Sequence, residues 1–492
     1  MPGTRESLLR EICDILNDPA EDAPRVCLLT GVAGSGKSAV AHSIARLYDG
    51  QKRLASSYCF ASTDVKNRNP RTLFTTIARD LCDHDPQYKS ALWGVVKDNR
   101  ALRTSTSPSE QLEQFIVEPN RGLDSIGPQL VVIIDALDES GEEANRRELL
   151  TAIPGQIADN TLPTNLRFLI TSRPESDILD ELSSGLHLIH KKMGDISADI
   201  VDKDIERFIQ HSLDKKPGFK SSWPTQEWCR LLVGRSQHLF QWAATACKFI
   251  QAKGTNPRKR FELLLESEGG AAERPLDQLY QTILDQLFPP DTRQSFHDVM
   301  AVVLALHEPL SLASLSALFY SNGDVDVQFI IKAMGSLLDG VLEEEKPIRP
   351  LHTSFRDFLL DENRSLTFHI QILPHHSLSL GQALLACMRN KLQFNICDLQ
   401  DSRLYNVSVP DLHDHVKMAI PPHLSYSCRY WMDHLQHAKC TPELLEEITW
   451  FFTDFFPYWL EAISLLCHTS QVSPILSALG ACSILSTWAE VG

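Results

Sequence analysis

A glycine-rich loop near the start of the chain has the residue types and the spacing that bind phosphate. Residues 25–38 read Arg-Val-Cys-Leu-Leu-Thr-Gly-Val-Ala-Gly-Ser-Gly-Lys-Ser. In such loops the glycines allow backbone N–H groups to wrap around the α- and β-phosphates of a nucleotide, the Lys reaches the β- and γ-phosphates, and the Ser hydroxyl binds Mg²⁺. The predicted nucleotide contacts come from Gly31, Ala33, Gly34, Ser35, Gly36, Lys37, Ser38 and Ala39.

An acidic cluster further along the chain supplies a second part of this site. The apolar run Leu-Val-Val-Ile-Ile leads directly into Asp135-Ala-Leu-Asp138-Glu139. We predict that Asp135 holds Mg²⁺ together with Ser38, because a strand that ends in an aspartate places its carboxylate on the metal side of the site. Asp138 or Glu139 is predicted to orient an attacking water at the γ-phosphate. The alternative interpretation is a solvated acidic loop.

A third segment adds an arginine. The apolar run at 166–171 is followed by Ser172, Arg173 and Pro174. Arg173 is predicted to sense the γ-phosphate through a charge-assisted hydrogen bond. The alternative is a salt bridge with Asp135 or a neighbouring acid.

The elements that must position these residues alternate between strands and helices. Strands are predicted at 26–30, 55–60, 130–134 and 166–171, each separated from the next by a helix-length segment. This alternation predicts a parallel sheet with helices on both faces, and ligands bind at the carboxyl ends of such strands. The loop and both acidic and basic segments fall at those ends, and a helix beginning near Ser38 adds the positive end of its dipole.

The composition argues against several other classes of function. The 492 residues carry a formal net charge of −16, which disfavours a nucleic-acid partner because phosphate contacts need clustered Lys and Arg. The 12 cysteines include no Cys-x-x-Cys pair and predict reduced, mostly buried thiols. There is no signal-peptide pattern and no apolar run of about 18 residues, so we expect a cytoplasmic protein with no membrane partner.

Beyond the predicted sheet, apolar residues recur at helical spacing through most of the chain. The predicted fold class is an α/β P-loop NTPase domain, with a parallel sheet and helices on both faces, followed by mainly α-helical domains that include a winged helix. The predicted domains are a lead-in helix at 1–24, the NTPase domain at 25–195, a helical domain at 196–290, a winged-helix domain at 291–365 and a C-terminal helical region at 366–492.

Three motifs together resemble the NACHT class of STAND signalling NTPases. They are Gly-Val-Ala-Gly-Ser-Gly-Lys-Ser, Ile-Ile-Asp-Ala-Leu-Asp-Glu and Ile-Thr-Ser-Arg-Pro-Glu. The small residue Ala136 before Asp138 and Glu139 is the detail that separates this class from other P-loop ATPases. The pattern is most similar to the fungal NOD-like receptor type with a nephrocystin-like NACHT domain. The resemblance is specific for residues 1–195 and weaker to about 365.

The resemblance implies ATP or ADP with Mg²⁺ as ligands, and two further nucleotide contacts. Arg5 resembles the segment that lies near the nucleotide base, and His352 resembles the histidine that contacts the β-phosphate of ADP in the resting state of related switches. The alternative for His352 is a helix N-terminal residue satisfied by its own backbone. One departure from the family is Gln237-His238 before Leu-Phe, where relatives tend to have a glycine, and this puts the local turn in doubt.

The implied function is a signalling switch of the innate-immunity or heterokaryon-incompatibility kind. ADP holds the helical parts closed, ATP releases them for self-association and binding of protein partners, and slow Mg²⁺-dependent hydrolysis resets the switch. The alternatives are a multiple-turnover ATPase or phosphotransferase, and a non-hydrolysing helical scaffold with the aromatic-rich segment 450–459 as its partner surface. The signalling domain and repeats of the family have no counterpart motifs here, so we expect either a minimal member or an incomplete gene product.

Overall fold

The structure is a computed structural model of the chain, and it forms two units. One comprises Met1–Leu279 with His352–Ser354, and the other comprises Tyr280–Leu351 with Phe355–Gly492. The residues that the structure describes are 3–20, 22–61, 69–121, 128–141, 143–158, 161–183, 185, 187–213, 226–252, 256–266, 274–319, 327–401, 404–436 and 441–481.

The first unit contains a five-stranded parallel sheet with strand order β2-β3-β4-β1-β5. The strands are β1 (Val26–Thr30), β2 (Leu54–Cys59), β3 (Leu130–Asp135), β4 (Leu166–Ser172) and β5 (Leu188–Lys192). Because β1 pairs in parallel with both β4 and β5, the phosphate-binding loop leaves from the interior of the sheet. The predicted parallel sheet is confirmed, while β5 was not predicted.

Helices cover both faces of this sheet. The helices of the first unit are α1 (Glu6–Asn17), α2 (Lys37–Gly50), α3 (Pro70–His84), α4 (Pro86–Val96), α5 (Pro108–Gln111), α6 (Glu118–Asn120), α7 (Glu143–Ala158), α8 (Ser176–Leu182), α9 (Ala198–Leu213), α10 (Gln226–Ser236), α11 (Phe240–Gln251), α12 (Pro257–Glu266) and α13 (Pro275–Leu287), which continues into the second unit.

Alternate residues of each strand point to opposite faces, so the sheet separates two hydrophobic cores. Leu28 and Val132 belong to one core, which includes residues of α3, α7 and α8. Leu29 and Val131, one position away, belong to the other, which includes residues of α1 and α2. Each fully buried Leu or Val contributes about 1.5–3 kcal/mol, which fixes the sheet that carries the loops.

The second unit is mainly helical. Its further elements are α14 (Arg293–Ala305), α15 (Leu312–Phe319), α16 (Val327–Ala333), β6 (Leu338–Asp339), β7 (Arg349–Pro350), α17 (Thr353–Leu360), α18 (Glu362–Ser365), α19 (Pro374–Lys391), α20 (Leu412–Ala419), α21 (Pro422–Leu435), α22 (Pro442–Trp450), α23 (Phe456–Leu465) and α24 (Val472–Ala481). Strands β6 and β7 pair antiparallel. Three helices followed by a hairpin favour the winged helix, which stays a prediction.

Two features of the second unit bear on the alternatives given above. In the aromatic-rich segment, Phe451 and Trp459 are completely buried, so these two side chains serve the core of the unit rather than a partner surface. Within the described ranges, no helix is both long and apolar enough to cross a membrane.

Candidate functional site

The phosphate-binding loop is folded around its own lysine. Gly34 and Gly36 have φ of 80° and 100°, a region that residues with a Cβ enter at a cost. Lys37 begins α2, and its Nζ donates hydrogen bonds to the carbonyl oxygens of Gly31 at 2.7 Å and Val32 at 3.2 Å. The ammonium group is therefore held at the mouth of the loop, where phosphate oxygens can replace the two carbonyls.

The loop is also attached to the helical part of the first unit. The backbone N–H of Gln241, in the first turn of α11, donates to the carbonyl oxygen of Gly34 at 3.1 Å. A Cβ on Gly34 would lie 2.9 Å from the Cβ of Gln241, which is too close for any side chain. Gly34 is thus required both by its φ and by the approach of α11.

Asp135 ends β3 inside the site, with 3% of its surface exposed. It accepts a hydrogen bond from the Thr171 hydroxyl, and the Cys59 Sγ lies 3.6 Å from its Oδ2. The Thr171 oxygen in turn accepts from the N–H of Ala136 at 3.1 Å. Ala136 has φ of 56°, so Thr171 holds both the carboxylate and the strained backbone that follows it.

The oxygen ligands present fit Mg²⁺ rather than a transition metal. Among the described residues, no group of three or more His, Cys, Asp or Glu side chains is placed to hold a metal. Ser38 and Asp135 offer one hydroxyl and one carboxylate, and Mg²⁺ is bound in this way, with water and nucleotide phosphates as its other ligands.

Asp138 and Arg173 form an ion pair beside the lysine. The Arg173 Nε lies 3.1 Å from Asp138 Oδ2, and the Arg173 backbone N–H donates to Asp138 Oδ1 at 2.9 Å. The Arg173 Nη2 also donates to the Thr353 hydroxyl at 3.1 Å. Of the two predicted roles of Arg173, the structure displays the salt bridge with a neighbouring acid, and that acid is Asp138. Glu139 closes the short 3₁₀ turn Leu137–Glu139.

Burial and these neighbours together change the acidity of Lys37. Burial lowers the pKa of the Lys37 ammonium, Asp138 opposes this by raising it, and the charge of Arg173 lowers it again. The carboxylates of Asp135 and Glu139 also raise the pKa. Asp135, Asp138, Glu139 and Arg173 thus all act electrostatically on the same lysine.

A cavity of about 640 Å³ lies next to the loop and is lined by Arg5, Val32 and Ser35. Arg5 is 8% exposed, its Nη2 donates to the Ser35 carbonyl at 3.2 Å, and its guanidinium lies 5.0 Å from the centre of the Phe240 ring. The Arg5 Nε and Nη1 have no hydrogen-bond partner among the described residues. A ligand with hydrogen-bond acceptors could pair with these two nitrogens, and the contact of Arg5 with a nucleotide base stays a prediction.

His352 caps its own helix. Its Nδ1 accepts from the Ser354 N–H at 3.1 Å and lies 2.7 Å from the Ser354 hydroxyl. This arrangement corresponds to the alternative that the sequence left open for His352. The segment 352–354 nevertheless belongs to the first unit, and Thr353, which the sequence did not single out, is the residue bonded to Arg173.

The turn before α11 keeps its shape without the family glycine. Gln237 and His238 have φ of 44° and 65°, a left-handed conformation in which glycine is easily accommodated. The His238 Nδ1 lies 2.7 Å from Asp202, and both turn residues line the cavity beside the loop.

Sequence reasoning missed the contribution of β5 to this cavity. His190, Lys192 and Met193 line it, and the His190 Nε2 lies 2.7 Å from the Thr30 hydroxyl at the end of β1. Burial, followed by the charge of Lys192, lowers the pKa of His190. The signal available was the pattern Leu-Ile-His-Lys-Lys at 188–192, which was not predicted as a strand.

Comparisons with known proteins point to one family. Residues 3–173 match the model of the family described as Nephrocystin 3, N-terminal. The chain is 27% identical over 367 residues to the Vegetative incompatibility protein HET-E-1 of Podospora anserina. The alignment covers 68% of this chain and 25% of that protein, so the chain spans about a quarter of the relative's length.

Two solved structures show a weaker likeness. Drosophila ORC bound to DNA has a TM-score of 0.35 and 14% identity, covering 76% of this chain and 97% of that chain. Drosophila ORC bound to GC-rich DNA and Cdc6 has a TM-score of 0.26 and 13% identity, covering 97% of this chain and 70% of that chain. TM-scores this low establish neither a shared fold nor a shared ligand.

The parallel sheet, the glycine-rich loop at the end of β1 and the acidic cluster at the end of β3 define a P-loop NTPase. The matched family model and the relative confirm the resemblance of this chain to fungal NACHT-like NTPases that the motifs carry.

Proposed function

We propose that this protein is a nucleotide-dependent signalling switch that binds ADP in its resting state and ATP with Mg²⁺ in its active state. The observation that supports this most directly is the position of Arg173, which is bonded to the carboxylate of Asp138 and to the hydroxyl of Thr353. A γ-phosphate beside Lys37 competes for the same guanidinium. Binding of a triphosphate is thereby coupled to the release of the segment 352–354.

The roles of the other residues follow from their positions. Lys37 exchanges the carbonyls of Gly31 and Val32 for phosphate oxygens, and the loop N–H groups donate to the same phosphates. Ser38 and Asp135 hold the magnesium, which supplies positive charge for phosphoryl transfer when bound. Once Arg173 turns away, Asp138 or Glu139 accepts a proton from an attacking water.

The size of the coupling can be bounded. A hydrogen bond to a charged group contributes roughly 1.5–3 kcal/mol. Loss of the bond between Arg173 and Thr353 therefore shifts an equilibrium between closed and released states by roughly 10- to 150-fold. This is enough to make the released state a minor one with diphosphate and a major one with triphosphate. Hydrolysis by the chain alone is proposed to be slow, because P-loop switches reach fast turnover only when an additional arginine is supplied to the phosphates.

The biological setting is proposed from the relatives. The printed name of HET-E-1 concerns vegetative incompatibility, and we propose signalling of that kind, or of an innate-immunity kind, with self-association in the triphosphate state and a cytoplasmic location. The Arg5 Nε and Nη1, which have no hydrogen-bond partner in the described part of the chain, are proposed to bind the base, and ATP is proposed on the resemblance. The protein partners are left open.

The test is to purify the protein, denature it and identify the released nucleotide by chromatography, alongside Lys37→Ala, Thr353→Val and His352→Ala. We expect about one ADP per wild-type chain, none for Lys37→Ala, and faster ADP exchange for Thr353→Val. If ADP exchange is faster in His352→Ala but unchanged in Thr353→Val, the contact that holds the segment 352–354 is made by His352 and not by Thr353. Wild-type protein that neither retains ADP nor binds added ADP would refute the switch.

A further inference from the structure

Arg146, on α7, makes four side-chain hydrogen bonds close to the candidate site. Its Nε and Nη2 donate to the two carboxylate oxygens of Asp177 at 2.6 Å and 3.0 Å. Its Nη1 donates to the carbonyl oxygen of Gly141 at 2.8 Å and lies 3.4 Å from that of Asp138. None of these atoms belongs to a residue with a predicted role at the phosphates, except the backbone of Asp138.

These contacts join the two loops that carry Asp138 and Arg173. Asp177 lies in the first turn of α8, four residues after Arg173, and Asp138 to Gly141 form the turn that follows β3. The same loops are joined a second time by the ion pair between Asp138 and Arg173. When the Arg173 guanidinium is drawn to a phosphate, the ion pair opens and only the backbone N–H of Arg173, among the contacts given above, stays bonded to Asp138. The contacts of Arg146 do not depend on the guanidinium.

We propose that Arg146 is a positioning residue, which keeps the Asp138 turn against α8 so that Asp138 stays in place when Arg173 leaves it. The proposal rests on the nucleotide switch described above. A planar guanidinium suits the task, because it bonds a carboxylate with two parallel N–H groups and still has a third nitrogen for the carbonyls.

The surroundings make this connection strong. The Arg146 and Asp177 side chains are only 10% and 15% exposed, so water and salt screen the pair weakly. The hydrogen bond to Arg146 lowers the pKa of Asp177, against the effect of burial, which raises it.

The test compares Arg146→Ala, Arg146→Lys and Asp177→Asn with Arg147→Ala, a matched control. Arg147 is the next residue of α7, and its side chain is 75% exposed and pairs only loosely with Glu143, at 3.5 Å. Each variant is titrated with fluorescent ADP and with a non-hydrolysable fluorescent ATP analogue plus Mg²⁺, and the turnover of ATP and the thermal midpoint are measured.

For Arg146→Ala we expect ADP affinity close to wild type, but turnover and triphosphate affinity reduced about tenfold or more, as for displaced supporting groups in other sites. For Arg146→Lys we expect turnover and triphosphate affinity between those of wild type and Arg146→Ala, because lysine keeps the positive charge but cannot form two parallel hydrogen bonds to the carboxylate. The double variant Arg146→Ala with Asp177→Asn should lose little more turnover or triphosphate affinity than Arg146→Ala alone, because both changes break the same ion pair.

A purely structural role would lower the midpoint and leave the ratio of ADP to triphosphate affinity unchanged, which would overturn the proposal. If Arg146→Ala does not fold, the ratio of ADP to triphosphate affinity in Arg146→Lys tests the proposal in its place. A wild-type protein that binds both nucleotides equally would refute the switch itself, and this outcome is visible before any variant is compared.

Discussion

Lys37 is a half-buried cation with a lowered pKa, so the free-energy cost of its burial is offset only in part by the nearby carboxylates and carbonyl oxygens. We predict that Lys37→Met abolishes nucleotide binding and leaves the free protein at least as stable as wild type at neutral pH. The penalty of the buried ammonium fades as pH rises towards the ordinary lysine pKa of 10.5, so the stabilising effect is largest well below it. Nucleotide titration and urea unfolding of the free protein check this. A variant that is destabilised at neutral pH would show that the ammonium holds the loop together.

His190 gives the site a dependence on pH. Its pKa is lowered by burial and by Lys192 from the ordinary value of 6.5, so below that value the unfolded chain binds the proton more readily than the native one. Stability therefore falls as pH drops below 6.5. His190→Gln, which can still hydrogen-bond Thr30, is expected to reduce this loss between pH of about 7.5 and about 5.5. Urea unfolding at the two pH values measures the free energy of unfolding of each protein. An equal loss of stability in wild type and His190→Gln would contradict the prediction.

For individual residues, the sequence predicted much of the phosphate site but few of the contacts that support it. Gly34, Lys37 and Asp135 were predictable because each has a fixed spacing from a strand end. The pairing of Arg173 with Asp138 was not, since the sequence left Asp135 and a neighbouring acid as equally possible partners. Thr353 gave no signal, because a threonine at the start of a helix has many ordinary explanations.

The turn that leads into α11 has a left-handed backbone at a residue that is not glycine. Gln237 has φ of 44°, which costs a residue with a Cβ about 1–2 kcal/mol. Gln237→Gly is predicted to stabilise the protein by about 1 kcal/mol or less, because glycine loses more entropy on folding. Urea unfolding measures this. His238→Gly is a useful comparison, since it also loses the contact with Asp202 and should gain less.

The elements themselves were predicted where hydrophobic burial dictates them. The strands β1, β3 and β4 have continuous buried runs, a pattern that follows directly from a sheet covered on both faces. Strand β5 lies at the edge of the sheet and has no fully buried residue. Its pairing with β1 comes from backbone hydrogen bonds, which leave no trace in the side-chain pattern.

The path of the chain between the two units explains how a change at the phosphate site could affect the second unit. The segment His352–Ser354 belongs to the first unit, whereas the residues on either side of it belong to the second. A contact made by Thr353 with Arg173 is therefore made by a piece of chain that continues directly into the other unit. Sequence patterns cannot reveal this, because they describe segments and not the unit that each segment joins.

Self-association is the property in which this coupling should be visible. Sedimentation velocity with Mg²⁺ and a non-hydrolysable ATP analogue is predicted to show a larger mass than with ADP. Thr353→Val, which removes the acceptor for Arg173, should reach the same mass at a lower analogue concentration, by roughly 10-fold or more. Thr75→Val, an exposed change on α3, should behave as wild type, and Lys37→Ala should respond to neither nucleotide. Equal masses with both nucleotides would contradict self-association, while a response unchanged in Thr353→Val would place the release elsewhere, because the guanidinium then has no role in holding the segment.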